Sequence, residues 1–559
     1  MSTKSRPMMM TMRISFLLLF ALSVPLGAQT GGGSGLEVPV VELVYERPVV
    51  LPPSRKGEVL DTLFYQPISD ESMIFGQRIS NLYGDGGPLP IEGEFDDPLV
   101  LNVEASLGTY ISPLGRISAE YARERWNVRG LVALGSTGGH VDGAEGRGLR
   151  IEAGGEYQIQ GRLPSPGKAR IGGALLYRGD DYSLYGRSTG SLDRRRSLVD
   201  VDIDLTSETD LSFDYALMLG IEGVDIDDDS VGFARNAAAF SPEFGGRFRI
   251  GDDSLNVAAS LRYRNTSLDY VTPSDDVGFL EAAGRGEWGA AKGLFVTLGA
   301  IAASGGYSDG DTTVGTSATL IMPRASARYE ISRSLAIYGR FAPELRAPSY
   351  RARMMRAPYV DANMPLRPEK LPLALAAGLR IGTGETDLEL EGAFETTENS
   401  PVVTLGDAAG ILEYTHRDAS ILRLQGSFRT RMNDDLTVNG RITVEKATDD
   451  VTDRQLPMRP ILSARAIAIW DFTERLTLDA DILFEGEQNV TFDATTLPTG
   501  VTDGTLGSRF LLGVGGTYAL TSGFDLFARL SNGIGQIYES WQGYEAPGIE
   551  VRGGVRGRL

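Results

Sequence analysis

The 559-residue sequence carries 54 Lys and Arg against 74 Asp and Glu, a formal charge of −20, with 69 Gly, two His and no Cys. The lack of Cys excludes disulfide frameworks, thiolate metal centres and thiol catalysis, and an acidic balance with pI near 4.7 argues against nucleic acid, because phosphate binding needs a basic field. Gly makes up about 12 % of the chain against roughly 7 % in ordinary proteins, an excess that asks for a backbone reason.

Residues 1–28 start with Lys4, Arg6 and Arg13, continue through the apolar run 14–22 and end in Pro25-Leu26-Gly27-Ala28. A basic start, a short apolar core and small residues at the end read as a secretory signal peptide. The apolar run is shorter than the roughly 20 residues needed to span a bilayer as a helix. No Cys follows it, which excludes a lipoprotein, and no later uncharged apolar stretch is long enough for a membrane helix. Residues 29–98 hold Gly31-Gly32-Gly33, Pro39, Pro48, Pro52-Pro53, Gly86-Gly87-Pro88 and Pro90, a density of breakers that predicts an irregular segment.

From Leu99 onward the texture changes to alternating segments of roughly ten residues, the length of a tilted membrane strand. In Val199-Asp200-Val201-Asp202-Ile203-Asp204-Leu205 three carboxylates share one face; Val257, Ala259, Leu261 and Tyr263 stand opposite Ser260, Arg262 and Arg264; residues 478–482 alternate likewise. The last segment puts Ile549, Val551, Gly553, Val555, Gly557 and Leu559 on one face and Glu550, Arg552, Arg556 and Arg558 on the other. This is the period of a β-strand. About 22 such strands fit into residues 99–559, joined alternately by short turns (209–210, 251–253, 432–435, 521–523) and longer Gly- and Asp-rich loops (305–315, 492–507). With helices excluded, only a closed barrel satisfies its own backbone in lipid; Gly lets its curved strands approach closely.

Three stretches go beyond strand texture. Ala347-Pro348-Ser349 is followed by Ala362-Asn363-Met364-Pro365-Leu366-Arg367-Pro368-Glu369-Lys370; Leu456-Pro457-Met458-Arg459-Pro460 follows; and Phe527-Ala528-Arg529-Leu530-Ser531-Asn532, Tyr538 and Gly543-Tyr544-Glu545-Ala546-Pro547-Gly548 precede the final strand. In order and spacing these resemble the mid and late barrel of TonB-dependent outer-membrane receptors, with Met364 as an extra residue between Asn and Pro. The resemblance implies a barrel for uptake of a scarce solute. Two departures stand out: residues 29–98 are too few for that family's plug domain, and the chain ends in Leu559 rather than in an aromatic residue. Residues 36–44 read as a strand or periplasmic tail rather than as the family's coupling box. The missing plug predicts another block of the lumen: residues 29–98, inward-folding loops or a partner.

Other signals read as structural. His140 lies in a Gly-rich loop and His416 near a strand edge, and neither is assigned a catalytic role. The acidic runs 225–229 and 449–453 read as solvated loops rather than Ca²⁺ sites, and Arg194-Arg195-Arg196 as a hairpin end rather than a lipopolysaccharide contact. Trp126, Trp288, Trp470 and Trp541 are expected to anchor the barrel at its rims.

The expectation is therefore an all-β chain: signal peptide 1–28, a short irregular segment 29–98, and a large antiparallel transmembrane β-barrel over 99–559 in the outer membrane. It is expected to be no enzyme and to need no cofactor or metal. Its partners would be outer-membrane lipid and lipopolysaccharide, the barrel assembly machinery, and a TonB-type energy coupler or a periplasmic or surface partner. The alternative reading is a non-transporting barrel that serves as a docking or assembly subunit for surface proteins.

Overall fold

Alternation along the strands becomes a ring in the computed structural model. It describes residues 99–558 except 124, 163–165, 187–191, 209–212, 231–232, 252–254, 270–274, 292, 308–315, 407–409, 411 and 493–503. The expected signal peptide, the segment 29–98, Leu559, the turn 209–210 and parts of the other expected turns and loops lie outside the described residues.

Thirteen strands come first: β1 (Leu99–Gly108), β2 (Ser112–Arg123), β3 (Trp126–Thr137), β4 (Gly146–Arg162), β5 (Pro166–Ser183), β6 (Asp193–Glu208), β7 (Phe213–Ser230), β8 (Phe233–Gly251), β9 (Leu255–Asp269), β10 (Asp275–Ala291), β11 (Leu294–Tyr307), β12 (Thr316–Ser332) and β13, which is broken into Leu335–Phe341 and Glu344–Arg346. Nine follow: β14 (Glu369–Gly382), β15 (Thr386–Leu405), β16 (Leu412–Arg431), β17 (Leu436–Asp449), β18 (Leu462–Thr473), β19 (Leu476–Glu485), β20 (Arg509–Thr521), β21 (Phe524–Ser531) and β22 (Glu550–Arg558). Each is antiparallel to the next, and β22 pairs with β1, so the sheet closes on itself as a 22-strand barrel. The closing seam holds seven residue pairs, Asn102↔Arg558 to Gly108↔Arg552, whereas β7 and β8 share eighteen.

Connections at one rim are short, such as 333–334, 474–475 and 522–523; the opposite rim carries the long ones, 347–368, 486–508 and 532–549. The expected asymmetry of turns and loops is present, and β1 begins and β22 ends at the short-turn rim.

The faces separate as the period demands. Val128, Val132, Leu134, Leu261, Leu280, Leu422, Leu424 and Ile442 are exposed on the outside, a band with the character of a lipid-facing wall. Arg116, Glu104, Asp200, Asp202, Arg262 and Glu281 occupy the alternate positions and line the interior. Trp126, Trp288 and Trp470 lie on the outer face near the short-turn rim, as expected of anchors. Trp541 does not: it is buried inside the mouth, because its connection folds inward. One glycine shows how the wall is built: a Cβ at Gly378 would meet the Tyr338 ring and the Leu390 carbonyl at 2.5–2.6 Å, so only Gly lets Tyr338 lie flat across the wall and donate to Glu389 (2.7 Å).

Candidate functional site: a strap across the barrel mouth

Residues 347–368, between β13 and β14, run into the barrel instead of away from it. Ser349 opens a short helix, α1 (Tyr350–Arg356), its hydroxyl accepting from Ala352 N at 3.0 Å. Tyr350, Arg353 and Met354, spaced at i, i+3 and i+4, form the buried face. Pro358 follows the C-cap residue Ala357 and stops the helix.

The far wall holds this strap through its backbone. Arg194 on β6 has a fully buried side chain and grips Asp228 on β7 with two hydrogen bonds (2.6 and 2.7 Å); its remaining nitrogen donates to the carbonyls of Pro358 (2.8 Å) and Val360 (2.7 Å). Arg196, two residues along and on the same face, pairs with Asp180 (2.6 Å) and donates to Met354 O (3.0 Å). Arg351 of the strap pairs with Asp200 of β6, and Tyr182 of β5 donates to Pro358 O (2.8 Å). A carbonyl accepting from a guanidinium that is itself neutralised by a carboxylate is a strong, charge-assisted bond away from water.

The near wall holds the other edge. Val360 bridges to Leu412 at the start of β16, and Asp361 N donates to Leu412 O (2.9 Å). Tyr414 donates to Arg353 O (3.0 Å), while the Arg353 guanidinium reaches Pro365 O (2.5 Å), Arg367 O (3.2 Å) and His416 (3.1 Å). Val360 thus touches both β6 and β16. These strands are ten places apart in a ring of 22, almost opposite each other. The strap is thus held by strands on opposite sides of the ring.

Around it a buried apolar cluster gathers Leu184, Leu198 and Ile226 from one wall, Val403 and Leu412 from the other, and Met354, Tyr359 and Met364 from the strap. The connection 532–549 folds in over this cluster. Tyr544 stacks on Tyr359 (centroids 3.6 Å, planes 17° apart) and donates to Gly410 O (2.9 Å), and Glu545 O accepts from both Tyr185 (2.8 Å) and His140 Nε2 (2.7 Å). Nearby, burial and then the carboxylates of Glu550 and Glu545 raise the Tyr110 phenol above its ordinary pKa.

These contacts change several readings of the sequence. Arg194-Arg195-Arg196 is more than the expected plain hairpin end: alternation sends Arg194 and Arg196 inward to the strap, and only Arg195 faces out, beside Asp181 (3.2 Å). Asp228, within the acidic run 225–229, is the buried counter-ion of Arg194, and Asp449 closes a turn by accepting from Thr452 N (3.0 Å) and Oγ1 (2.6 Å). Among the described residues no group of His, Asp and Glu is arranged to hold a metal. His140 and His416 are both engaged in loop contacts. The receptor-like motif, Ala347-Pro348-Ser349 to Lys370, coincides with the strap, although its inward course was not readable from the motif.

With the geometry in place, known structures give the class. The barrel has the fold of TonB-dependent outer-membrane receptors. It is similar to the FrpB iron transporter from Neisseria meningitidis (F3-3 variant; 9 % identity, 83 % of this chain and 82 % of that one, TM-score 0.67). A mutant of the ferric enterobactin receptor PfeA from Pseudomonas aeruginosa is also similar (13 %, 82 % and 80 %, TM-score 0.61), as is the copper transporter OprC (12 %, 82 % and 81 %, TM-score 0.62). No protein-family model and no curated protein matches the sequence.

Proposed function

We propose that this chain is an outer-membrane uptake barrel of the TonB-dependent-receptor type, exported by cleavage of residues 1–28, and that the strap 347–368 supplies closure where a full plug domain would otherwise stand. The observation that carries the reading is the Val360–Asp361 step: Val360 O accepts from Arg194 of β6 while Asp361 N donates to Leu412 O of β16. An unobstructed ring of 22 strands would leave a wide aqueous lumen, and in this chain buried arginines and carboxylates are committed to holding a strap across it. The cargo is a scarce solute, and a TonB-type coupler is the partner that would drive release of the strap. Insertion would depend on the barrel assembly machinery, with outer-membrane lipid and lipopolysaccharide around the wall. The three similar structures, named as iron, ferric enterobactin and copper proteins, support uptake as the class of activity and leave this chain's cargo open.

The test is single-channel conductance in planar bilayers of the mature chain, of a variant lacking 29–98, and of a variant with 350–366 replaced by a short Gly/Ser link. A closed parent and a large conductance on strap removal support the reading. Large, equal conductance in all three would refute closure by the strap and favour a docking role.

A further inference from the structure

The opposite arc of the ring, away from the contacts of the strap with β5–β7, holds a partly enclosed cavity against the inner wall of β18–β22 and β1. Its volume is about 70 Å³, room for about five water molecules. Two of its three arginines are neutralised: Arg556 pairs with Glu104 (2.8 Å) and Arg529 with Asp479 (2.5 Å) and Asp481. Arg552 and Glu550 are different. Among the described residues neither forms an ion pair; Arg552 donates from one nitrogen to Ser106 Oγ (3.2 Å) and Ser112 O (3.3 Å).

This arrangement is not what packing alone would select. Arg552 stands directly across the ladder from Arg529, and like charges in that position destabilise a sheet. Arg552 and Glu550 lie two residues apart on one face of β22, with Cα atoms about 7 Å apart, both half-buried and, among the described residues, out of ion-pair contact with each other and with any third group. The hydroxyl of Thr109, which also lines the cavity, is buried with no hydrogen-bond partner among the described residues. Phe527 and Ile469 add apolar wall. The cavity therefore offers a guanidinium and a carboxyl group that line it without touching each other, an unused hydroxyl and a hydrophobic side.

Resting on the uptake reading, we infer that this cavity binds a small zwitterion of the amino acid or short-peptide class, the Arg552 guanidinium taking the carboxylate and Glu550 the ammonium group. Arg552, with one nitrogen on Ser106 and Ser112, then offers its remaining N–H groups to the carboxylate.

The test is calorimetric binding to the purified mature chain in detergent, with three probes: glycylglycine, N-acetylglycylglycine, which lacks the cation, and glycylglycine amide, which lacks the carboxylate. Wild type is expected to bind glycylglycine at least tenfold more tightly than either derivative. Arg552→Gln is expected to bind glycylglycine and its amide equally, and Glu550→Gln to bind glycylglycine and its N-acetyl form equally. Circular dichroism is the check that each variant keeps its barrel. Absence of glycylglycine binding to the folded wild type, or binding indifferent to both substitutions, overturns the inference. Because binding in detergent needs no transport, it is separable from the uptake reading: binding with an open, ungated barrel keeps the niche and removes uptake, whereas gated conductance without dipeptide binding does the reverse.

Discussion

Arg194→Met removes the centre of the strap's anchorage, and its effect follows from what is left behind. Asp228, almost fully buried, loses both hydrogen bonds of its partner, the Val360 carbonyl loses its guanidinium donor, and the Pro358 carbonyl keeps only Tyr182. Breaking a buried ion pair by deleting one member costs about 3–5 kcal/mol. The barrel wall does not have to unfold to relieve this, because lifting the strap lets water reach Asp228. The opening equilibrium should therefore rise by roughly 10²- to 4 × 10³-fold, at 1.4 kcal/mol per tenfold. A chain without Cys gives a clean reporter: Ala362, fully buried in the strap, becomes the single thiol in Ala362→Cys. Labelling by a membrane-impermeant maleimide should be slow in that background and faster by the stated factor once Arg194→Met is added. Adding Asp228→Leu should slow it again, because the uncompensated carboxylate is gone. If Arg194→Met leaves labelling within threefold of its parent, the latch reasoning is wrong.

Other expectations follow from the same geometry. Tyr544→Ala loses the ring stacked on Tyr359, at about 3–5 kcal/mol for a buried aromatic, and should make the connection 532–549 sensitive to limited proteolysis; Tyr544→Phe keeps the stack, loses a bond worth about 1 kcal/mol, and should stay resistant. Leu424→Arg puts a charge on the outer face near the middle of β16 and should lower stability in urea unfolding by about 2–4 kcal/mol, whereas Gln425→Arg, facing the interior, should leave the midpoint near that of the parent. Gly378→Val forces Tyr338 off the wall and should cost about 1–3 kcal/mol in the same assay.

The ring itself was legible in the sequence because a two-residue period is a local property: the first strand, the alternation at 199–205 and 257–264 and the number of strands all follow from it. The strap was not, because its partners are distant. Arg194 and Val360 are 166 residues apart, and no periodicity links them. A trace was nevertheless present: alternation sends Arg194 and Arg196 to one face, and hairpin register places Asp228 opposite Arg194, so a basic triplet facing an acidic run across one turn marked an internal ion pair. Trp541 misled for the opposite reason. Its place near a strand end fits a rim anchor, and only the inward course of its connection, fixed by Tyr544 on Tyr359, removes it from the rim.

The seam has a mechanical consequence. β1 and β22 share seven residue pairs where β7 and β8 share eighteen, and the two strands have their free ends at the same rim. A ladder resists peeling in proportion to the rungs that remain, so a load applied at the start of β1 or the end of β22 falls on one of the shortest ladders of the cylinder and runs along it from an edge. The seam is also the one ladder whose two strands stand at opposite ends of the described chain, so the sheet becomes a cylinder only when this short hem is sewn.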